Sequence, residues 1–150
     1  MIVSVALCSA AITTQPVRAQ TMNQPTEERM QAGILVHITH GPEHPTRAAL
    51  GFAVARAALE QGHRVSLFLA GDAVQLIRED VLSSLNGLGT GNLRELYDGI
   101  VADGGRFYLS GGSSKARGVT AGDIAGKPAE FAGPPKLVEL SLDHERMFTY

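Results

Sequence analysis

From residue 34 onward, short and nearly unbroken apolar runs alternate with longer stretches in which apolar residues recur at helical spacing. Ile34-Leu35-Val36-His37-Ile38-Thr39 is the first such run, the pattern of a strand covered on both faces in a parallel sheet. It empties into His40-Gly41-Pro42-Glu43-His44-Pro45-Thr46. Ala48, Ala49, Phe52, Ala53, Val54, Ala57, Ala58 and Leu59 then mark a helix that Gly62 stops, with Pro45 suited to its first turn. Arg64 to Ala70 reads as a second strand, and Asp72 with Gln75 three residues on reads as a capping box for a short helix to about Arg78. Glu79 to Gly91 is expected to be a glycine-bearing loop. Asn92 and Glu95 repeat the cap pattern before Leu93, Leu96, Tyr97, Ile100 and Val101, an amphipathic helix ended by Gly104-Gly105.

Phe107-Tyr108-Leu109 is the third strand, and it breaks into Ser110-Gly111-Gly112-Ser113-Ser114-Lys115-Ala116-Arg117-Gly118. Thr120 and Asp123 predict another short capped turn, Ala129 to Ala132 a fourth strand, Pro134-Pro135 the start of a last helix, and Met147 to Tyr150 a fifth strand. Strands alternating with helices, with no tight hairpins between them, predict an α/β fold. The expected form is a three-layer helix/sheet/helix sandwich around a five-stranded, mostly parallel sheet.

Composition narrows this to one domain: 150 residues, 44% of them hydrophobic, supply one well-filled core. A net charge of -2 and the absence of Trp argue against nucleic acid as a partner. Cys8 is the single cysteine, so no internal disulfide and no cysteine-held metal cluster is expected. Residues 1–19 read as a secretory signal, with an apolar run from Ile2 to Ile12, breakers Gln15 and Pro16, and a cut after Ala19. No basic residue precedes that run, which departs from the usual signal pattern. At about eleven residues the run is too short to span a membrane. The cut would remove Cys8 and Arg18, leaving 12 of the 13 basic residues against 15 acidic ones, a net charge of -3. Residues 20–32 are a polar linker and 33–150 the folded domain. A periplasmic or secreted location follows from the signal, and a cytoplasmic one otherwise.

Parallel strands place their C-terminal ends on one edge, which should gather the loops at 40–46, 71–72 and 110–115. The candidate ligand-binding residues are therefore His40, Gly41, Glu43, His44, Gly71, Asp72, Ser110, Gly111, Ser113 and Arg117. Arg117, beside hydroxyls and unpaired N–H groups, would hold a carboxylate, sulfate or phosphate; the opposing reading is a solvated helix residue. His40 and His44 are weak metal candidates, because only Glu43 is patterned with them. His63 and His144 read as surface or element-end residues. A phosphate loop fails for want of a Gly-Lys-Ser/Thr ending, and Gly87, Gly89 and Gly91 follow no strand, so they make no dinucleotide fingerprint. Ser110 lacks a Gly-x-Ser-x-Gly frame and any assignable base. No cofactor is expected.

Three segments, His40 to Pro45, Gly62 to Val74 and Ser110 to Val119, resemble the DsrE/DsrF family of small sulfur-relay proteins. The resemblance runs from about Ile34 to Tyr150. It implies a five-stranded α/β sandwich assembled as a homotrimer or hexamer, with a persulfide-carrying cysteine in the loop after the third strand. Counting back from Arg117-Gly118, that cysteine falls on Ser110, and a second one found in some members falls on Ser113. A hydroxyl forms no persulfide, so sulfur-transfer catalysis is not expected of this chain alone. The expectation is a non-catalytic oligomer that binds a small anion or a sulfur-relay partner protein. Its rivals are an enzyme using Ser110 or a His40/His44 metal, and a structural subunit of a sulfurtransferase relay.

Overall fold

The computed structural model describes residues 31–150. The expected signal, Cys8 and all but the last two residues of the expected linker lie outside the described residues. In chain order the elements are β1 (Gly33–Ile38), α1 (Pro45–Glu60), β2 (Arg64–Leu69), a 3-10 helix (Gly71–Ile77), α2 (Glu79–Ser84), β3 (Asn86–Gly87) and β4 (Gly91–Asn92). They continue with α3 (Leu93–Ala102), β5 (Arg106–Ser110), α4 (Gly111–Ala116), α5 (Ala121–Ile124), β6 (Ala129–Ala132), α6 (Pro134–Asp143) and β7 (Arg146–Thr149).

The main sheet has the order β6-β5-β2-β1-β7, and every neighbouring pair is parallel. Such pairing needs crossovers, and the helices that provide them cover both faces. Alternate strand residues divide between the two layers. Val36, Ile38, Leu67, Leu69, Phe107 and Leu109 pack against α1 and α3, where Phe107 meets Phe52 and Tyr97 with ring centroids 5.8 and 5.1 Å apart. Leu35 and Phe68 point the other way and are covered by Leu140 of α6. The expected α/β sandwich is the observed one.

Two local expectations are corrected. Residues 79–91 are not all loop: they form α2 and then a two-residue antiparallel hairpin, β3 with β4, set against α1. Gly87 is required there, because a Cβ would collide with Thr90 Oγ1 and crowd Ala49. Asp72 does not cap a helix either. The segment is a 3-10 helix whose N-cap residue is Ala70, without a side-chain cap, and the Asp72 carboxylate is directed to a distant arginine. The predicted caps at Asn92 and at Thr120/Asp123 form: Asn92 accepts from the N–H of Arg94, and Thr120 and Asp123 make a reciprocal box.

Candidate functional site

Each loop at the C-terminal edge of the sheet starts where a buried strand ends, and close approaches join the three. Gly41, in the β1–α1 loop, lies so near the main chain of Asp72 that any side chain would overlap the Asp72 carbonyl. The N–H of Gly71 donates to Ser113 Oγ at 3.0 Å, tying the end of β2 to α4. Arg117 Nε donates to Asp72 Oδ1 at 2.6 Å, a second tie between the same two segments. Inside the first loop the N–H of Gly41 donates to Glu43 Oε1 at 2.8 Å, and the His40 and His44 rings meet edge to face with centroids 5.1 Å apart.

The electrostatics follow from these contacts. The hydrogen bond from Arg117 holds the Asp72 carboxyl below its ordinary value, assisted by the charges of Arg117 and His40 and opposed by desolvation. The Arg117 guanidinium is raised by the same bond, with Glu43 adding to the negative field around it. Arg117 is thus a paired cation. Its Nε is committed, while among the described residues its terminal nitrogens have no hydrogen-bond partner.

Ser110 is the N-cap of α4, its Oγ accepting from the N–H of Ser113 at 3.4 Å. Among the described residues no imidazole, amine or carboxylate is hydrogen-bonded to that hydroxyl, so nothing there would take its proton. His40 Nε2 accepts from Arg47 at 3.2 Å, and its Nδ1 lies 3.4 Å from Thr39 Oγ1. No group of three or more His, Cys, Asp or Glu side chains among the described residues is placed to hold a metal. Thr39 and Arg47 were not among the predicted site residues. Arg47 was traceable, because helical geometry returns it from the first turn of α1 toward the loop preceding it.

Gly111 opens onto a shallow groove of about 390 Å³ beside the junction, with Lys115, Val119, Thr120 and Phe131 on its walls. On the other flank His44, Thr46, Arg47 and Leu50 line a depression of about 410 Å³. All ten predicted site residues lie on this one edge. His40, Gly41, Glu43 and His44 form one group; Gly71, Asp72, Ser110, Gly111, Ser113 and Arg117 form the other. The two meet at the Gly41–Asp72 approach.

Residues 32–150 match the model of the DsrE/DsrF-like family. The chain belongs to that family. Among solved structures, the DsrE/DsrF-like fold aligns with the ychN protein of E. coli at a TM-score of 0.60 and 20% identity, over 81% of this chain and 100% of that one. Protein MTH1491 of Methanobacterium thermoautotrophicum, of unknown function, aligns at 0.60 and 14%, over 80% and 100% of the two chains. BT1422 of Bacteroides thetaiotaomicron, a conserved protein of unknown function, aligns at 0.56 and 15%, over 79% and 95%. At these identities the likeness is one of fold. No curated protein matches the chain. Among the described residues no helix is long and apolar enough to cross a membrane.

Proposed function

We propose that this DsrE/DsrF-like protein is an exported homo-oligomer that carries no sulfur at the family's acceptor position and uses the loop edge for binding. The observation that supports this is Ser110. It stands at the end of β5, where the resemblance places the persulfide cysteine, and its hydroxyl caps α4 with no base bonded to it. A serine O–H has a pKa far above that of a thiol and does not take up sulfur. What remains is recognition: the terminal nitrogens of Arg117, the Ser113 hydroxyl and the neighbouring His40 suit a small oxyanion of sulfur or a carboxylate on a partner protein.

Thiosulfate is the probe for this reading. Titrated into the labelled protein, it should shift the amide resonances of residues 40–44, 71–72 and 110–117, and Arg117→Ala should weaken binding about tenfold, the loss expected for one charge-assisted hydrogen bond. Shifts confined to other parts of the chain, or an Arg117→Ala variant that binds equally well, would overturn it.

A further inference from the structure

A second set of reactive groups lies on the α6 face of the sheet, at the edge opposite the loops. Ser66 and Arg106 are partners across the β2–β5 ladder, so their side chains leave the sheet on the same face, and Arg64 shares it two residues earlier. Above them α6 ends at His144. Expected to be a surface or element-end residue, His144 is buried, with 8% of its surface exposed, and Ser66 with 7%. Between them and α6 is a cavity of about 360 Å³ lined by Arg64, Ser66, Arg106, Tyr108, Lys136 and His144, with Asp143 also on its wall.

The hydrogen bonds determine what His144 does. Nδ1 lies 2.7 Å from the carbonyl oxygen of Leu140, and a carbonyl only accepts, so Nδ1 carries the proton. In the neutral ring Nε2 is then an acceptor, and it lies 3.1 Å from Ser66 Oγ. This is a serine whose O–H points into a base, with the base oriented by a third group. Of the three cations on the cavity wall, Arg64 donates to the Asp143 carbonyl at 3.0 Å and faces Glu145, Lys136 pairs with Glu139 at 2.6 Å, and Arg106 has no partner among the described residues, which leaves Arg106 to receive an acid.

We propose that Ser66 and His144 form a nucleophile–base pair that hydrolyses small esters bearing a carboxylate, with Arg106 receiving the carboxylate. Ser66 Oγ attacks the acyl carbon as its proton passes to His144 Nε2. The C–O bond to the leaving alcohol breaks, and that alcohol departs with the proton. Water then attacks the acyl-serine, giving its proton to Nε2, and the proton returns to Ser66 Oγ as the acid is released. No redox change is involved. This inference is independent of the loop edge.

Phenylmethylsulfonyl fluoride followed by peptide mapping tests the pair. One adduct is expected, on Ser66 and not on the exposed Ser141. Ser66→Ala should abolish it, and His144→Gln should slow labelling at least about 100-fold, the scale of a lost general base. Hydrolysis of the mono-p-nitrophenyl ester of succinate should exceed that of p-nitrophenyl acetate, and Arg106→Gln should raise KM for the succinate ester about tenfold, the loss expected for one charge-assisted hydrogen bond. A His144 that serves only to cap α6 moves none of these readouts. No adduct on Ser66 of the unmodified chain, or equal labelling in a folded His144→Gln variant, would overturn the proposal.

Discussion

The Asp72–Arg117 pair determines how the loop edge responds to acid. Its partners are 45 residues apart in sequence, and their bond lowers the carboxyl's pKa in the folded chain relative to the unfolded one. A carboxyl depressed in this way contributes stability that is complete above its unfolded value and disappears as pH falls through the lower, folded value. The tie between the 3-10 helix and α4 should therefore survive to pH values below the ordinary carboxylate range and then release. Amide exchange of residues 110–117 measured against pH should show that release, and Asp72→Asn should exchange quickly at every pH. The pairing was not legible in the sequence. Asp72 and Gln75 satisfy a local capping rule, and local spacing carries no information about a guanidinium that the fold brings in from α4. The His144–Ser66 contact escaped for the same reason, since 78 residues separate its partners.

At the scale of elements, the apolar runs and glycine stops located the five strands of the main sheet and the longer helices, because burial on both faces leaves few polar residues in a strand. What they did not reveal was α2 with the hairpin behind it. Leu82 is the one fully buried residue of α2, too little to make a periodic stripe, and a two-residue strand has no alternation to read. Close approach between elements is equally hidden, and Gly41 is the position where it matters for the site. Adding a methyl there would push the β1–α1 loop off the Asp72 main chain, which lacks room to yield. Gly41→Ala should cost about 1–3 kcal/mol in a denaturation experiment, the usual range for overpacking, and should weaken thiosulfate binding at the loop edge as well. A variant as stable as the parent would show that the two loops do not need to touch.

For the whole molecule, the family and its parallel sandwich were legible because the resemblance rested on loops spread along the domain, one after each of three adjacent strands. The proposed assembly rests on the resemblance and on exposed apolar residues. Val138 and Leu142, four residues apart on α6, are 58% and 81% exposed, and Met147 on the neighbouring edge strand is 45% exposed. The proposed homotrimer or hexamer would cover exposed apolar side chains of this kind. Sedimentation equilibrium should return a trimer or hexamer, and Leu142→Asp should shift it toward monomer; a monomeric parent would contradict the oligomer. The central claim concerns a position rather than a surface: the proposal is that Ser110, the N-cap of α4, occupies the family's sulfur-acceptor position, at a helix start that would lower a thiol's pKa. The direct measurement is sulfur uptake from a persulfide donor by Ser110→Cys and by the exposed control Ser141→Cys, each in a chain also carrying Cys8→Ser, read by intact mass and peptide mapping. The predicted result is rapid addition of one sulfur atom to position 110 and slow or no addition at 141; equal rates at the two positions would contradict it.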